Sequence, residues 1–167
     1  MQDNKDPNGE VTKLPTPCID TGLGLERIVS LVMGVDSVFE TDILFSLIQS
    51  LEKIFSISYA KSTPLQAASF RVIADHIRAL SFAISDGVLP GNTDRGYILR
   101  KLLRRSVIYS KNLGAKYPFH ARLVSHLIEL MGEDYPELIS SRSKIEEILT
   151  LEEENFFKVL QLSLIHI

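Results

Sequence analysis

Apolar residues recur at helical spacing through most of this chain, and the places where that rhythm fails are as informative as the places where it holds. Leu25, Ile28, Val29 and Val32 form a short stripe, with Gly34 placed to stop it in the left-handed conformation. A wider stripe of Ile43, Leu44, Leu47, Ile48, Leu51, Ile54 and Phe55 opens after Glu40 or Thr41 and predicts a helix running to about Tyr59. Ser62-Thr63-Pro64 is a helix-start signal, and Phe70, Ile73, Ile77, Leu80 and Ile84 line the helix that follows to Ser85, with Gly87 as its cap. A basic amphipathic helix is expected over residues 97–113, closed by Gly114, and another over 118–131. A last one is expected from Glu137 or Ser143 to Leu160. Two stretches break the rhythm. Residues 1–15 are polar, with a turn at Asp6-Pro7-Asn8-Gly9, and read as loop; residues 16–21 read as a strand leading into a Gly-x-Gly segment. The class is therefore mainly α.

Bulk composition narrows the picture little. Hydrophobic residues make up 45% of the 167 positions and charged residues 23%, ordinary for a globular protein. A net charge of −3 predicts no general affinity for polyanions, so any nucleic-acid surface must be local. One cysteine excludes an internal disulfide or a multi-cysteine metal site, and no apolar run approaches the roughly 18 residues of a membrane span. A cytoplasmic chain with no membrane partner is the expectation. Charge is also segregated, with Arg95, Arg100, Lys101, Arg104 and Arg105 close together and acids concentrated over residues 129–154.

The segment Asp20-Thr21-Gly22-Leu23-Gly24-Leu25-Glu26-Arg27 carries the first candidate chemistry. In a strand, Asp20, Gly22 and Gly24 share one face, which sets a carboxylate beside a surface cleared of side chains. Asp20 could hold an ammonium there while Arg27, always charged and fork-shaped, takes a phosphate. The same glycines also fit a tight turn or close packing, and Glu26 is favoured by the helix dipole in any case.

The second candidate is the run from Pro90-Gly91-Asn92 into the basic helix. Arg100, Lys101, Arg104 and Arg105 fall at i, i+1, i+4 and i+5, one contiguous stripe. Such a stripe can simply be solvated or paired with the acidic C-terminal region. Asn92, at a glycine-loosened corner beside it, suits base-edge reading positioned by phosphate contacts. Asp75, His76 and Arg78 lie within a helix with no second His or Cys at metal spacing, so no metal site is expected. Cys18 has no plausible His partner, and no Ser-His-Asp arrangement is suggested.

Three ordered blocks then stand out together. Leu14-Pro15-Thr16-Pro17-Cys18-Ile19-Asp20-Thr21-Gly22-Leu23-Gly24-Leu25-Glu26-Arg27-Ile28 and Val72-Ile73-Ala74-Asp75-His76-Ile77-Arg78-Ala79 closely resemble alanyl-tRNA synthetase, as does Ser85-Asp86-Gly87-Val88-Leu89-Pro90-Gly91-Asn92 with the following Arg95-to-Arg105 run. The first block is similar to the third signature motif of class II synthetases. This resemblance implies that residues 1–38 are the strand-helix end of a class II α+β catalytic domain. Residues 39–161 would then be an incomplete helical tRNA-recognition bundle. It implies that Asp20 holds the alanine amino group, that Gly22 and Gly24 line the alanine and adenylate floor, and that Arg27 contacts ATP, which is used with Mg2+. It places Asn92 at the G·U pair of the tRNA(Ala) acceptor stem, as an acceptor for the guanine amino group, with Arg95, Arg100, Lys101, Arg104 and Arg105 on phosphates. The family's first two motifs, including the arginine for the α-phosphate, are absent, as is its editing domain with a zinc site. No catalytic residue is therefore assigned, and the polypeptide alone is expected to be inactive. The alternative is a non-catalytic helical RNA-binding module. Residues 162–167 match one reading frame of a common transposon-end sequencing adapter and are expected to be a non-native tail.

Overall fold

The computed structural model describes residues 2–16 and 18–165, and side chains as far as Leu162. The chain divides into two compact units, Met1–Val38 and Phe39–Ile167. The architecture is mainly α with one small sheet among the described residues.

In the first unit the stretch read as loop is a hairpin, β1 (Asp3–Lys5) antiparallel to β2 (Val11–Lys13), with Asn4 opposite Thr12. Asp6 makes the turn: its Oδ1 accepts from the backbone N–H of Asn8 and of Glu10, both at 2.9 Å, and Gly9 takes φ +89°. Every strand residue is exposed, so no apolar alternation marked the pair. The strand expected over 16–21 does not form. Residues 18–24 have no regular structure, and Pro17 lies outside the described residues. A strand without a neighbour leaves its ladder groups unsatisfied, and among the described residues none is paired with that segment. Helix α1 (Leu25–Met33) follows, starting at Gly24 and stopped by Gly34 at φ +68°. Its apolar side chains are largely bare: Leu25, Leu31 and Val32 are 71, 77 and 82% exposed.

The second unit holds the core. Helix α2 (Asp42–Phe55) buries Leu47, Ile48 and Leu51. It ends four residues short of Tyr59 because Ser56 turns left-handed at φ +55° and Glu52 Oε1 takes the Tyr59 N–H at 2.6 Å. Helix α3 (Pro64–Ser85) is the central element, packed against α2 and all the later helices. It starts at a capping box, with Gln66 N–H on Thr63 Oγ1 at 3.3 Å and Thr63 N–H on Gln66 Oε1 at 3.1 Å. Phe70, Ile73, Ile77, Leu80 and Ile84 are fully buried along one face.

Helix α4 (Asp94–Ser110) begins three residues before the expected Tyr97 and tightens into a 3-10 turn over Lys111–Leu113, before Gly114 at φ +82°. Helix α5 (His120–Met131) packs on α7. Of the two starts open to the last helix, Ser143 lies one residue inside α7 (Arg142–Ile165), whereas Glu137 falls in a separate short helix, α6 (Pro136–Ser140). The break is pinned to the end of α3, where Ser85 Oγ donates to Glu137 O at 3.1 Å and to Ser141 Oγ at 3.2 Å. Of the six-residue tail, residues 162–165 continue α7, whereas 166 and 167 lie outside the described residues.

Candidate functional site

The two sequence candidates fall in different units. In the first, Asp20, Gly22, Gly24 and Arg27 are all exposed. Gly24 is the N-cap of α1, and a Cβ built there would lie 3.4 Å from Arg27 Cδ, so the arginine stem runs back over the glycine. A methyl group at Gly24 would be in ordinary van der Waals contact with that stem. At Gly22 a Cβ would meet nothing within 4 Å, which leaves an open backbone surface. This surface comes from irregular chain and not from a strand face. Glu26 stands in the first turn of α1, where the helix dipole favours an acid.

The second candidate is built around the turn before α4. Gly91 N–H donates to Gly96 O at 2.9 Å, and a Cβ on Gly96 would sit 2.5 Å from Leu89 O and 3.0 Å from Gly91 N. Only glycine permits that approach. Asp94 takes φ +49°, a left-handed conformation that a short polar side chain tolerates better than most. Together these hold Asn92 at an exposed corner over the start of the helix.

Arg100 organises the corner. Its Nε donates to Glu152 Oε2 at 3.1 Å and its Nη2 to Glu152 Oε1 at 2.7 Å, a two-pronged pair between α4 and α7. Both side chains are only about one-fifth exposed, at 21 and 20%. The other guanidinium nitrogen, Nη1, donates to Asn92 Oδ1, and Nη2 also reaches Pro90 O at 3.5 Å. Of the five cations read as phosphate ligands, Arg100 is thus engaged within the protein, the ion-paired alternative that the acidic C-terminal region allowed.

Lys101, Arg104 and Arg105 remain exposed. With Asn92, Tyr97, Arg100, Ile108, Tyr109 and Phe156 they line an open groove of about 520 Å3. The Arg104 guanidinium lies 5.1 Å from the Phe156 ring centre and that of Arg105 lies 5.6 Å from the Tyr109 ring centre, so cations and flat apolar faces alternate. Such a lining can take both phosphates and base or ribose faces. Arg95 is exposed but does not line the groove.

Behind the groove, His76 Nδ1 meets Asp75 Oδ2 at 3.1 Å. That hydrogen bond, with the His76, Arg78 and Arg105 charges, holds the Asp75 carboxyl below its ordinary value against the opposing effect of partial burial. His76 serves this pair and the core.

Two features were not assigned in the sequence. One is which acid of the C-terminal region pairs with Arg100, namely Glu152. The other is a line of fully buried polar groups, in which Ser106 Oγ lies 2.7 Å from His120 Nε2 and Glu153 Oε1 lies 2.9 Å from His120 Nδ1. The order imitates a hydrolytic triad, but none of the three groups is accessible to a substrate, and the His120–Glu153 contact has ion-pair distance without hydrogen-bond alignment. Glu153 accepts instead from the Phe119 N–H at 3.1 Å and the His120 N–H at 3.2 Å, which caps α5 from α7. The signal was an acid on the buried stripe Ile145, Leu149, Glu153, Phe157.

Comparison with known proteins bears on both units. Residues 1–164 match the family described as tRNA synthetases class II (A). The chain is 54% identical to the alanine-tRNA ligase of Chlamydia muridarum over 161 residues, which is 96% of this chain and 18% of that protein. The corresponding enzymes of Chlamydia trachomatis serovar D and Cupriavidus necator are 53% and 45% identical over the same shares. The chain thus spans less than a fifth of these relatives' length. With a match that runs through both units, the chain belongs to the class II tRNA synthetase (A) family.

Proposed function

We propose that this chain forms part of an alanine-tRNA ligase, which activates alanine with ATP and transfers it to the 3′ end of tRNA(Ala). The observation that carries the reading is the 54% identity to such an enzyme across 96% of the chain. In the first unit, Asp20 would hold the alanine ammonium, the bare backbone at Gly22 and Gly24 would floor the adenylate, and Arg27 would take a phosphate of ATP. Arg27 lying across Gly24 supports that pairing of roles. Among the described residues no group of three His, Cys, Asp or Glu could hold a metal ion, and Mg2+ would enter with the ATP phosphates.

In the second unit, the groove along α4 would receive the acceptor stem, with Lys101, Arg104 and Arg105 on phosphates and Asn92 at a base edge. Arg100 contributes by holding Asn92, and Arg95 would meet RNA only outside the groove. No described helix is long and apolar enough to cross a membrane, and a cytoplasmic setting fits the substrates.

Adenylation needs cations on the α-phosphate in the transition state, and the first two class II motifs are not in this sequence. The polypeptide alone should therefore show no alanine-dependent ATP–pyrophosphate exchange while still binding an acceptor-stem duplex. Appreciable exchange would refute its inactivity. A second reading, a non-catalytic RNA-binding module, draws on the confinement of the groove and its core to residues 39–165. Asp20→Ala and Arg27→Ala should leave duplex affinity unchanged under either reading. Restoration of exchange on adding the missing motifs as a separate polypeptide would favour the ligase.

A further inference from the structure

A guanidinium can only donate, so the bond from Arg100 Nη1 fixes which end of the Asn92 amide faces inward. The oxygen is turned to Arg100 and the NH2 group is left for the groove. A donor approaching the remaining lone pair of that oxygen would also meet the cation that already holds it. Arg100 is in turn fixed by both oxygens of Glu152, and this pair is four-fifths buried. The arrangement points away from the simplest expectation for Asn92, that it accepts from a guanine amino group.

We propose that Glu152 is a positioning residue that sets, through Arg100, the hydrogen-bonding sense of Asn92, so that the amide donates to an acceptor on the base edge. In the shallow groove of an A-form duplex those acceptors are pyrimidine O2 and purine N3. The inference rests on the proposed reading of RNA by Asn92, and adds to it which atom is read and which residue enforces the choice. Without Glu152 the guanidinium would be free to turn to a phosphate, and Asn92 would lose its preferred orientation.

The test is binding of the 167-residue chain to a short acceptor-stem duplex carrying one G·U pair, at a single salt concentration. Three atom replacements are compared: inosine for guanosine, which deletes the amino group; 3-deazaguanosine, which deletes N3; and 2-thiouridine, which weakens the O2 acceptor. Asn92→Ala should weaken binding of the parent duplex about tenfold. It should also abolish the chain's sensitivity to 3-deazaguanosine or 2-thiouridine, while leaving its sensitivity to inosine unchanged. Glu152→Gln, with its thermal unfolding measured alongside, should shrink the acceptor-atom sensitivity severalfold. Arg100→Lys, which keeps charge but cannot fork, should do the same and carries the test if Glu152→Gln fails to fold. Loss of inosine sensitivity in Asn92→Ala would overturn this inference and leave the RNA reading standing. An Asn92→Ala chain that binds every duplex like the parent would overturn the RNA reading of Asn92 itself. Unchanged atom selectivity in both Glu152→Gln and Arg100→Lys would remove the positioning role.

Discussion

Single residues decide whether the groove exists. Gly96 is the sharpest case, because a methyl group there would press into Leu89 O and the Gly91 backbone, neither of which is a flexible side chain. Gly96→Ala should destabilise the protein by about 1–3 kcal/mol and displace Asn92, read as a lower melting temperature together with weaker duplex binding. Asp75 makes a different prediction. Its folded-state pKa is depressed from an ordinary 3.8, so its contribution to stability is present above that value and is lost as the pH falls through the folded one. Asp75→Asn should lower stability near neutrality, where the carboxylate contributes in full, and converge with the parent in acid, so that the acid limb of a stability-against-pH curve is flatter. Asp20, Arg27 and Asn92 could be singled out in the sequence because residue type and turn chemistry mark them. Which atoms of Asn92 face out could not, since that depends on Glu152, far along the chain and visible only once α7 lies beside α4.

Elements were legible wherever burial wrote a period into the sequence. The stripe from Phe70 to Ile84 announces α3, and the core-facing residues of α2 announce that helix. The hairpin left no such mark, because both of its strands are exposed on both faces and are held by turn chemistry at Asp6. The strand expected over 16–21 failed for the opposite reason: alternation without a partner does not make a ladder. Helix ends were set by tertiary contacts that local rules miss, as where Ser85 pins the break between α6 and α7. Two caps allow a graded comparison. Thr63→Ala removes a local cap and should cost about 1 kcal/mol in denaturant unfolding. Glu153→Ala removes a buried acceptor that serves α5 from α7 and lies beside His120, and should cost about 3–5 kcal/mol, with early loss of protection at the start of α5 in hydrogen exchange.

At the scale of the whole molecule, the net charge of −3 conceals a basic groove, so RNA affinity should be local and strongly salt-dependent. With Arg100 engaged by Glu152, the freely available cations of the groove are Lys101, Arg104 and Arg105. Lys101→Gln should therefore lower the slope of log affinity against log salt by about 1, whereas Arg100→Gln should act mainly on atom selectivity. The two units should also differ in protection. Residues 39–165 share a continuous core, while α1 buries only Ser30, and amide exchange should be fast over the first unit and slow along α3. That bare helix has a consequence for handling and for cellular fate. Leu25, Leu31 and Val32 present to water a surface of the kind that chaperones hold and proteases survey. The lifetime of this polypeptide in a cell, and its colloidal behaviour in a tube, should depend on whatever shields two leucines and a valine.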